Sequence, residues 1–356
     1  MRTTYVAAAG IAVSTRIADH FSGSAPAPLA SPRTCDTIGQ LIVSDTNAVM
    51  PIAGGQLALN GTPALNDGLA TTAAQARTAG RAFLVRIPSR TTVGNTLRLG
   101  WDTAGLASGN LVAGIDYANA TDVRVKSGTS AIDTIGLGAG AHCVAVIQRG
   151  TGALLLARNG TSGPYTLLWV YATSTAAMFA KVWLGNSATQ CTLDDLLVVD
   201  IGGMFAADSG VATSRLAGAR AAGDSFIQTA DAIVEFTVTT RQSAGNSSVY
   251  FRMVAASDAL LLQWNAIGTV TLFTKIANGF TAIIASASGA IADGTRVVIR
   301  MTGAAVSIYL NDVLWTTQTI SQWATATNGK LNALGTGAVV SEIIAWPRQV
   351  ALPAGL

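Results

Sequence analysis

Retaining hydrolysis of a glycosidic bond needs two carboxyl groups about 5–5.5 Å apart. On a β-strand only residues two apart share a face, so an alternating acidic run is the pattern that would supply them. The chain has no such run. Asp194 and Asp195 are adjacent and point to opposite faces, while Glu235 and Glu342 are isolated in their segments. Nucleophilic catalysis has no better footing, since neither of the two histidines, His20 and His142, lies near a nucleophile-elbow pattern. The same histidines lack metal-ligand spacing, so zinc is poorly supported. The glycines of "GLGAGAH" (136–142) precede no helical pattern, which argues against a phosphate cradle. The expectation is a chain with no catalytic residue and no cofactor.

What remains suits recognition. Seven tryptophans, at 101, 169, 183, 264, 315, 323 and 346, could stack on a ligand. Most lie inside alternating apolar segments, where a core position is the better reading. Trp323, in the polar stretch "TISQWATATNG", is expected to be the most exposed.

Composition limits the partners. Half of the 356 residues are apolar and only 12% are charged, against roughly 25% in an average soluble domain. The polar surface is therefore built from Thr, Ser, Asn, Gln and backbone, which suits an extracellular β-protein or a subunit covered by neighbours. The 22 basic and 19 acidic residues are scattered, so no nucleic-acid footprint is indicated. No apolar run reaches the roughly 20 residues of a membrane span. The opening "MRTTYVAAAGIAVSTR" faintly resembles a signal peptide. Three cysteines, Cys35, Cys143 and Cys191, form no even framework. They read as small buried hydrophobes, with a Cys143–Cys191 bridge open if their strands adjoin.

The elements that must position any site are strands. Short β-branched or aromatic segments, bounded by Gly, Asn, Asp or Ser, recur from 82–87 to 193–201 and again from 232–239 to 338–346. Asn-Gly pairs at 60–61, 159–160, 278–279 and 328–329 favour tight hairpins. The Ala-rich stretch 67–80 is the one segment with any helical character, and "GGQLALNG" (54–61) reads as an edge strand.

The two series of strands align with each other. "AFLVRIP" matches "AIVEFTV" with Phe83 on Ile233, an offset of 150; "RGTGALLLARNG" matches "MTGAAVSIYLND" with Gly152 on Gly303, an offset of 151. "KVWLGNSATQCTLDDLLVVD" matches "KLNALGTGAVVSEIIAWP" with Gly185 on Gly335, again 150, and "GLATTAAQARTAG" rhymes with "GVATSRLAGARAAG". The chain reads as a tandem duplication whose units are each large enough to close a core. The boundary is expected near Gly202-Gly203, giving an arm (1–16), a first sandwich (17–202), a second (203–350) and a tail (351–356). Residues 1–66 have no counterpart ahead of the second unit. Their "SGSAPAPLASPR" (22–33) is too poor in bulky apolar groups to order itself.

Three features together resemble concanavalin A-like, laminin G-type jelly-roll domains: "DHFSGS" ahead of "GGQLALNG", a central hairpin ending in "ARNG" or "YLND", and a closing "LDDLLVVD" or "SEIIAWP". The resemblance spans 17–201 and 204–347. It implies two tandem antiparallel β-sandwiches, with calcium as a family ligand through Asp102, Asp116, Asp122, Asn311 and Asp312, unless these make ordinary turn contacts. Trp323, Asn311 and Asp312 are the candidate glycan contacts.

The function expected from these readings is non-enzymatic. An unprocessed Met1, low charge and the lack of a disulfide framework favour a structural or adhesive subunit of a phage virion. Such a subunit would pack against other particle subunits or copies of itself through the N-terminal arm. A secreted or cell-surface carbohydrate-binding module is the alternative.

Overall fold

The computed structural model describes residues 13–93, 97–119, 121–138, 140–149, 152–160, 162–172, 176–185, 189–201, 211–352 and 356. It divides into two compact units, Met1–Gly210 with Gln349–Leu356, and Val211–Arg348.

Unit 1 opens with β1 (Ser14–Asp19), β2 (Arg33–Thr34), β3 (Gln40–Ser44), β4 (Ile52–Ala53), β5 (Gln56–Gly61) and β6 (Gly68–Thr71). It continues with β7 (Arg81–Ile87), β8 (Ser89–Val93), β9 (Arg98–Asp102), β10 (Leu111–Tyr117), β11 (Asp122–Gly128) and β12 (Ser130–Gly136). It closes with β13 (His142–Gln148), β14 (Gly152–Asn159), β15 (Tyr165–Ala172), β16 (Phe179–Trp183), β17 (Thr189–Leu193) and β18 (Asp195–Asp200). Unit 2 contains β19 (Ser214–Ala219), β20 (Ser225–Ile227), β21 (Ala232–Thr240), β22 (Asn246–Ala255), β23 (Asp258–Asn265) and β24 (Val270–Ile276). There follow β25 (Gly279–Ala285), β26 (Thr295–Thr302), β27 (Ala305–Leu310), β28 (Val313–Thr319), β29 (Asn328–Ala333) and β30 (Val339–Pro347), and then β31 (Gln349–Val350).

These strands make two sandwiches of the same topology. In unit 1 one sheet runs β1-β18-β7-β13-β14-β15-β31 and the other β12-β11-β10-β9-β16-β6-β3-β2. In unit 2 the order is β19-β30-β21-β26-β27-β28 and β20-β29-β22-β23-β24-β25. Strand for strand, β1 corresponds to β19, β18 to β30 and β7 to β21, and so on through both sheets. The fold is all-β, two tandem jelly rolls. Gly185 and Gly335 each stand two residues beyond the equivalent strands β16 and β29.

The duplication differs in detail from its sequence reading. Phe83 faces the core, where its ring meets Trp101 edge-on at 6.1 Å. In unit 2 the core residues of β21 are Ala232, Val234, Phe236 and Val238. Ile233 therefore lies on the other face, and the match of Phe83 to Ile233 is out by one residue, which on a strand reverses the side chain. "GLATTAAQARTAG" contains β6 while "GVATSRLAGARAAG" contains β19, the counterpart of β1, so that rhyme joins unlike strands. The 67–80 stretch is β6 followed by irregular chain with one bridge, Gln75 to Met178. Strand β5 is not an edge, being flanked by β4 and β17 in a small sheet ordered β4-β5-β17-β8. Asn328-Gly329 lies inside β29, where a Cβ on Gly329 would sit 2.2 Å from the Phe226 ring.

Residues 1–12 lie outside the described ones, but 14–16 belong to β1, paired with β18. Beyond β8, β17 and β31, which also lack counterparts in unit 2, unit 1 has in excess an insertion between β1 and β6. Its Pro-rich segment is pinned within the unit. Ala25 pairs with Ile52, Leu29 N–H donates to Asp45 at 3.2 Å, and Arg33 holds the buried Asp19 by two bonds of 2.6 and 3.0 Å. At the other end, Gln349–Val350, read from the sequence as the close of the second sandwich, covers the edge of β15 in unit 1, with Val350 opposite Tyr165. Cys35, Cys143 and Cys191 are buried free thiols. Cys143 is on β13 and Cys191 on β17, in different sheets, so no bridge joins them.

Candidate functional site

Four of the tryptophans, Trp101, Trp169, Trp264 and Trp346, are core residues exposed by 1% or less. Trp323 is half-buried and packs against the core of unit 2, contrary to the expected exposure. Asn311 and Asp312 form the turn between β27 and β28, with φ of 51° and 63°. Both side chains are committed to holding it. Asn311 Oδ1 accepts from Arg296 N–H at 2.9 Å, and Asp312 pairs with the Arg296 guanidinium. Arg296 also reaches Glu235 at 2.7 Å, and Glu235 accepts from Trp346 Nε1 at 3.0 Å. Burial pushes the Asp312 carboxyl up despite Arg296 beside it. The three candidate contacts thus brace unit 2 and do not form a common site.

The calcium candidates are similarly occupied. Asp102 pairs with Lys181, Asp116 with Arg124, and Asp122 accepts from the Asn119 amide at 2.7 Å. Among the described residues no three His, Cys, Asp or Glu side chains cluster to hold a metal. Asp194 and Asp195 lie near Arg86 at 3.1 and 3.6 Å, and Asp195 also takes His20 at 2.6 Å.

A different surface gathers the polar side chains: the outer face of the β9–β12 and β16 sheet. Trp101 Nε1 donates across the sandwich to Val146 O at 2.9 Å, so Leu99 and Trp101 point inward. Strand alternation then turns Arg98, Gly100 and Asp102 outward. Register extends this face across the sheet. Trp183 stands opposite Arg98, Arg98 opposite Asp116, and Asp116 opposite Arg124. The next row runs Lys181, Gly100, Gly114, Lys126. Its two glycines are dictated by close strand approach, since a Cβ on Gly114 would lie 2.1 Å from Leu99 O.

Charge is concentrated here. Asp116, 1% exposed, accepts from Arg124 at 2.6 and 3.1 Å, with Arg98 at 3.7 Å and Lys126 at 3.9 Å. The Arg98 guanidinium lies over the Trp183 ring, 4.8 Å from its centroid, and donates through Nη1 to Gly109 O. Trp183 in turn donates to Asn66 at 3.1 Å. Burial lowers the pKa of Arg98; Asp116 opposes that shift and Arg124 adds to it. Burial likewise lowers Lys126, Asp116 opposing and the two arginines adding. Lys181 is buried under the short helical turn Gly105–Ala107, bonded to Asp102 at 2.6 Å and Gly105 O at 2.8 Å.

The equivalent face of unit 2 carries two lysines, but the row matching Trp183–Arg98–Asp116–Arg124 is neutral. Lys330 corresponds to Lys181, and its row continues through Tyr250, Leu261 and Phe273. Tyr250, Ala259 and Leu261 form a cluster separate from the core, with Met253 and Phe273 packed on it. Lys275 Nζ bonds Tyr250 Oη at 3.1 Å and lies 5.4 Å from the centroid of the Phe280 ring. Where unit 1 has Trp183, Arg98, Asp116 and Arg124, unit 2 has Asn332, Ser248, Gln263 and Thr271. Ser248 is opposite Gln263 and Gln263 opposite Thr271, and Asn332 Nδ2 donates to Ser248 at 3.1 Å.

No family model matches the chain, and no curated protein matches it. Several solved structures are similar over part of the chain. A galectin from Caenorhabditis elegans is 9% identical, covering 37% of this chain and 94% of its own, with a TM-score of 0.31. A carbohydrate-binding module from Bacillus subtilis is 18% identical over 36% of this chain and 84% of its own, TM-score 0.30. The catalytic domain of an endo-1,3-β-glucanase from Thermotoga petrophila is 9% identical over 54% and 100%, TM-score 0.34.

Proposed function

We propose that this chain is a non-enzymatic glycan-binding protein whose two sandwiches each present a binding face on the outer side of the β9–β12/β16 sheet and of its duplicate. The observation that carries the reading is the cross-strand row Trp183–Arg98–Asp116–Arg124. It lines up oriented hydrogen-bonding groups on a sheet face directed away from the core, with the Arg98 fork held over the Trp183 ring, which is itself 5% exposed. Sugar rings offer apolar C–H patches and hydroxyls, which call for an aromatic surface and a few oriented polar groups. Tyr250, Phe273, Gln263 and Thr271 offer that pairing in unit 2. On the unit 1 face Asp102 and Asp116 are engaged by cations and Asp122 by the Asn119 amide, which supports binding over hydrolysis.

The particle-subunit reading, drawn from composition and the opening residues, gains no support from the Pro-rich segment, which is held within unit 1. An extracellular setting belongs to the same proposal as glycan binding. The test is a glycan array probed with the whole chain, wild type and Gln263→Ala/Arg124→Gln. Binding lost in the double variant with unchanged melting supports the proposal. Undiminished binding by that variant refutes the location, and hydrolysis of any arrayed glycan refutes the non-enzymatic reading.

A further inference from the structure

We infer that the outer face of unit 1 takes an acidic saccharide, its carboxylate or sulfate received by Arg98 and Arg124 beside Trp183. This rests on the glycan-binding reading and specifies its ligand class. The first argument is the duplicate. Unit 2 builds the same sheet with Asn332, Ser248, Gln263 and Thr271 in these positions, so the fold does not require charge there. Burying ions is costly: an ionic cluster on a protein face is often no more stable than neutral residues in its place. A row of ions kept where neutral groups suffice is therefore suited to a ligand more than to folding.

The second argument is charge and access. Arg98, Arg124 and Lys126 face Asp116, with Asp122 next along β11 and held by Asn119; three cations meet two carboxylates, an excess of one positive charge. The excess is also on the accessible side. Side chains of Arg98 and Arg124 are 21% and 29% exposed, whereas Asp116 is 1% exposed. An approaching group meets guanidinium edges, with the carboxylate of Asp116 beneath them.

The third is preorganisation. Arg98 is fixed by the Trp183 ring beneath it and by Gly109 O at Nη1, while Nη2 has no hydrogen bond among the described residues. A planar fork held in place with a donor to spare is matched to an oxyanion and loses little freedom on binding it. The indole, 5% exposed and beneath the guanidinium, holds the fork in place; the ligand meets the arginines.

The experiment titrates the whole chain calorimetrically with an oligogalacturonate, a sulfated galactan oligosaccharide and a neutral galactan oligosaccharide of equal length. Poly-glutamate serves as a non-saccharide polyanion, and the series is repeated with Arg124→Gln. At least one acidic oligosaccharide is expected to bind, about tenfold or more weaker with Arg124→Gln. Its affinity should fall with salt, and neutral-sugar affinity should stay within about twofold of wild type. Should Arg124→Gln fail to fold, Arg124→Lys is read instead. It keeps the charge but loses the fork, and a several-fold loss is expected for acidic ligands only. Neutral binding without acidic binding, or equal losses for both, overturns this inference and leaves the glycan reading standing. Poly-glutamate bound as tightly as the sugars with the same sensitivity to Arg124, or none of the four ligands bound, overturns both.

Discussion

Lys181 is a fully enclosed charge in unit 1, and replacing it by Met should be strongly destabilising. Its side chain is 0% exposed and that of its partner Asp102 is 4% exposed. The ammonium bonds Asp102 at 2.6 Å, Gly105 O at 2.8 Å and Ser108 O at 2.5 Å. Met fills similar volume but leaves Asp102 as a buried, unpaired carboxylate, which costs about 3–5 kcal/mol. For a unit of this size each kcal/mol lowers Tm by about 2–4 °C, so a fall of roughly 10 °C is expected. The measurement is thermal and urea unfolding of the whole chain. The double variant Lys181→Met/Asp102→Leu removes both charges and should lose less than Lys181→Met alone. Lys330 occupies the equivalent place in unit 2 but is half-buried, so Lys330→Met should stay within about 0.5 kcal/mol of wild type. A Lys181→Met variant within about 1 kcal/mol of wild type, or single losses that simply add in the double variant, would refute the reasoning.

Three further outcomes are expected. Burial raises the Asp200 pKa, but bonds from Arg81 at 2.8 Å and Arg16 at 2.5 Å outweigh it and hold the carboxyl below its ordinary value. Its stabilising contribution is therefore complete above the unfolded pKa of about 3.9 and is lost as pH falls through the lower folded value. Asp200→Asn should remove that part of the acid limb in unfolding measured from pH 5 to 2. Burial, with Asp19 adding and Arg33 opposing, pushes the Cys35 thiol up to about 12, and Cys143 and Cys191 are buried too. A thiol reagent at pH 8 should label none of the three until denaturant is added; rapid labelling of the native chain would contradict their burial. Asn311→Val puts a β-branched residue at a φ of 51° and removes the acceptor for Arg296 N–H, which should cost about 1–3 kcal/mol by urea unfolding, while Asn311→Gly should cost less.

The architecture was largely written in strand periodicity and self-similarity, because a half-buried strand must alternate and a duplicated core must repeat. What escaped were features set by partners distant in sequence. The alternation in "RLGWD" (98–102) and "DVRVK" (122–126) puts charge on one face of each strand. Only the antiparallel register shows that Arg98 and Arg124 flank the same Asp116. Glu235 stands alone in the sequence for the same reason, although it is the centre of an Arg296 and Trp346 network. Trp323 misled because its polar neighbours suggest a loop in water, whereas its backbone, at φ 53°, turns the ring onto the core of unit 2. The Pro-rich stretch 22–33 is, as its composition implies, unable to order itself. Its order derives from Asp45, Asp19 and Ile52, none of which the segment itself contains.

The central claim is that the duplicated outer faces bind glycan. It is tested most directly by amide hydrogen exchange on the whole chain, with and without the tightest-binding oligosaccharide found on an array. The account predicts slowed exchange at the ends of β9, β10, β11 and β16, or at β22, β23, β24 and β29, or at both sets, with little change elsewhere. Slowing confined to β13, β14 and β15, or to the Asn311-Asp312 turn, would contradict it.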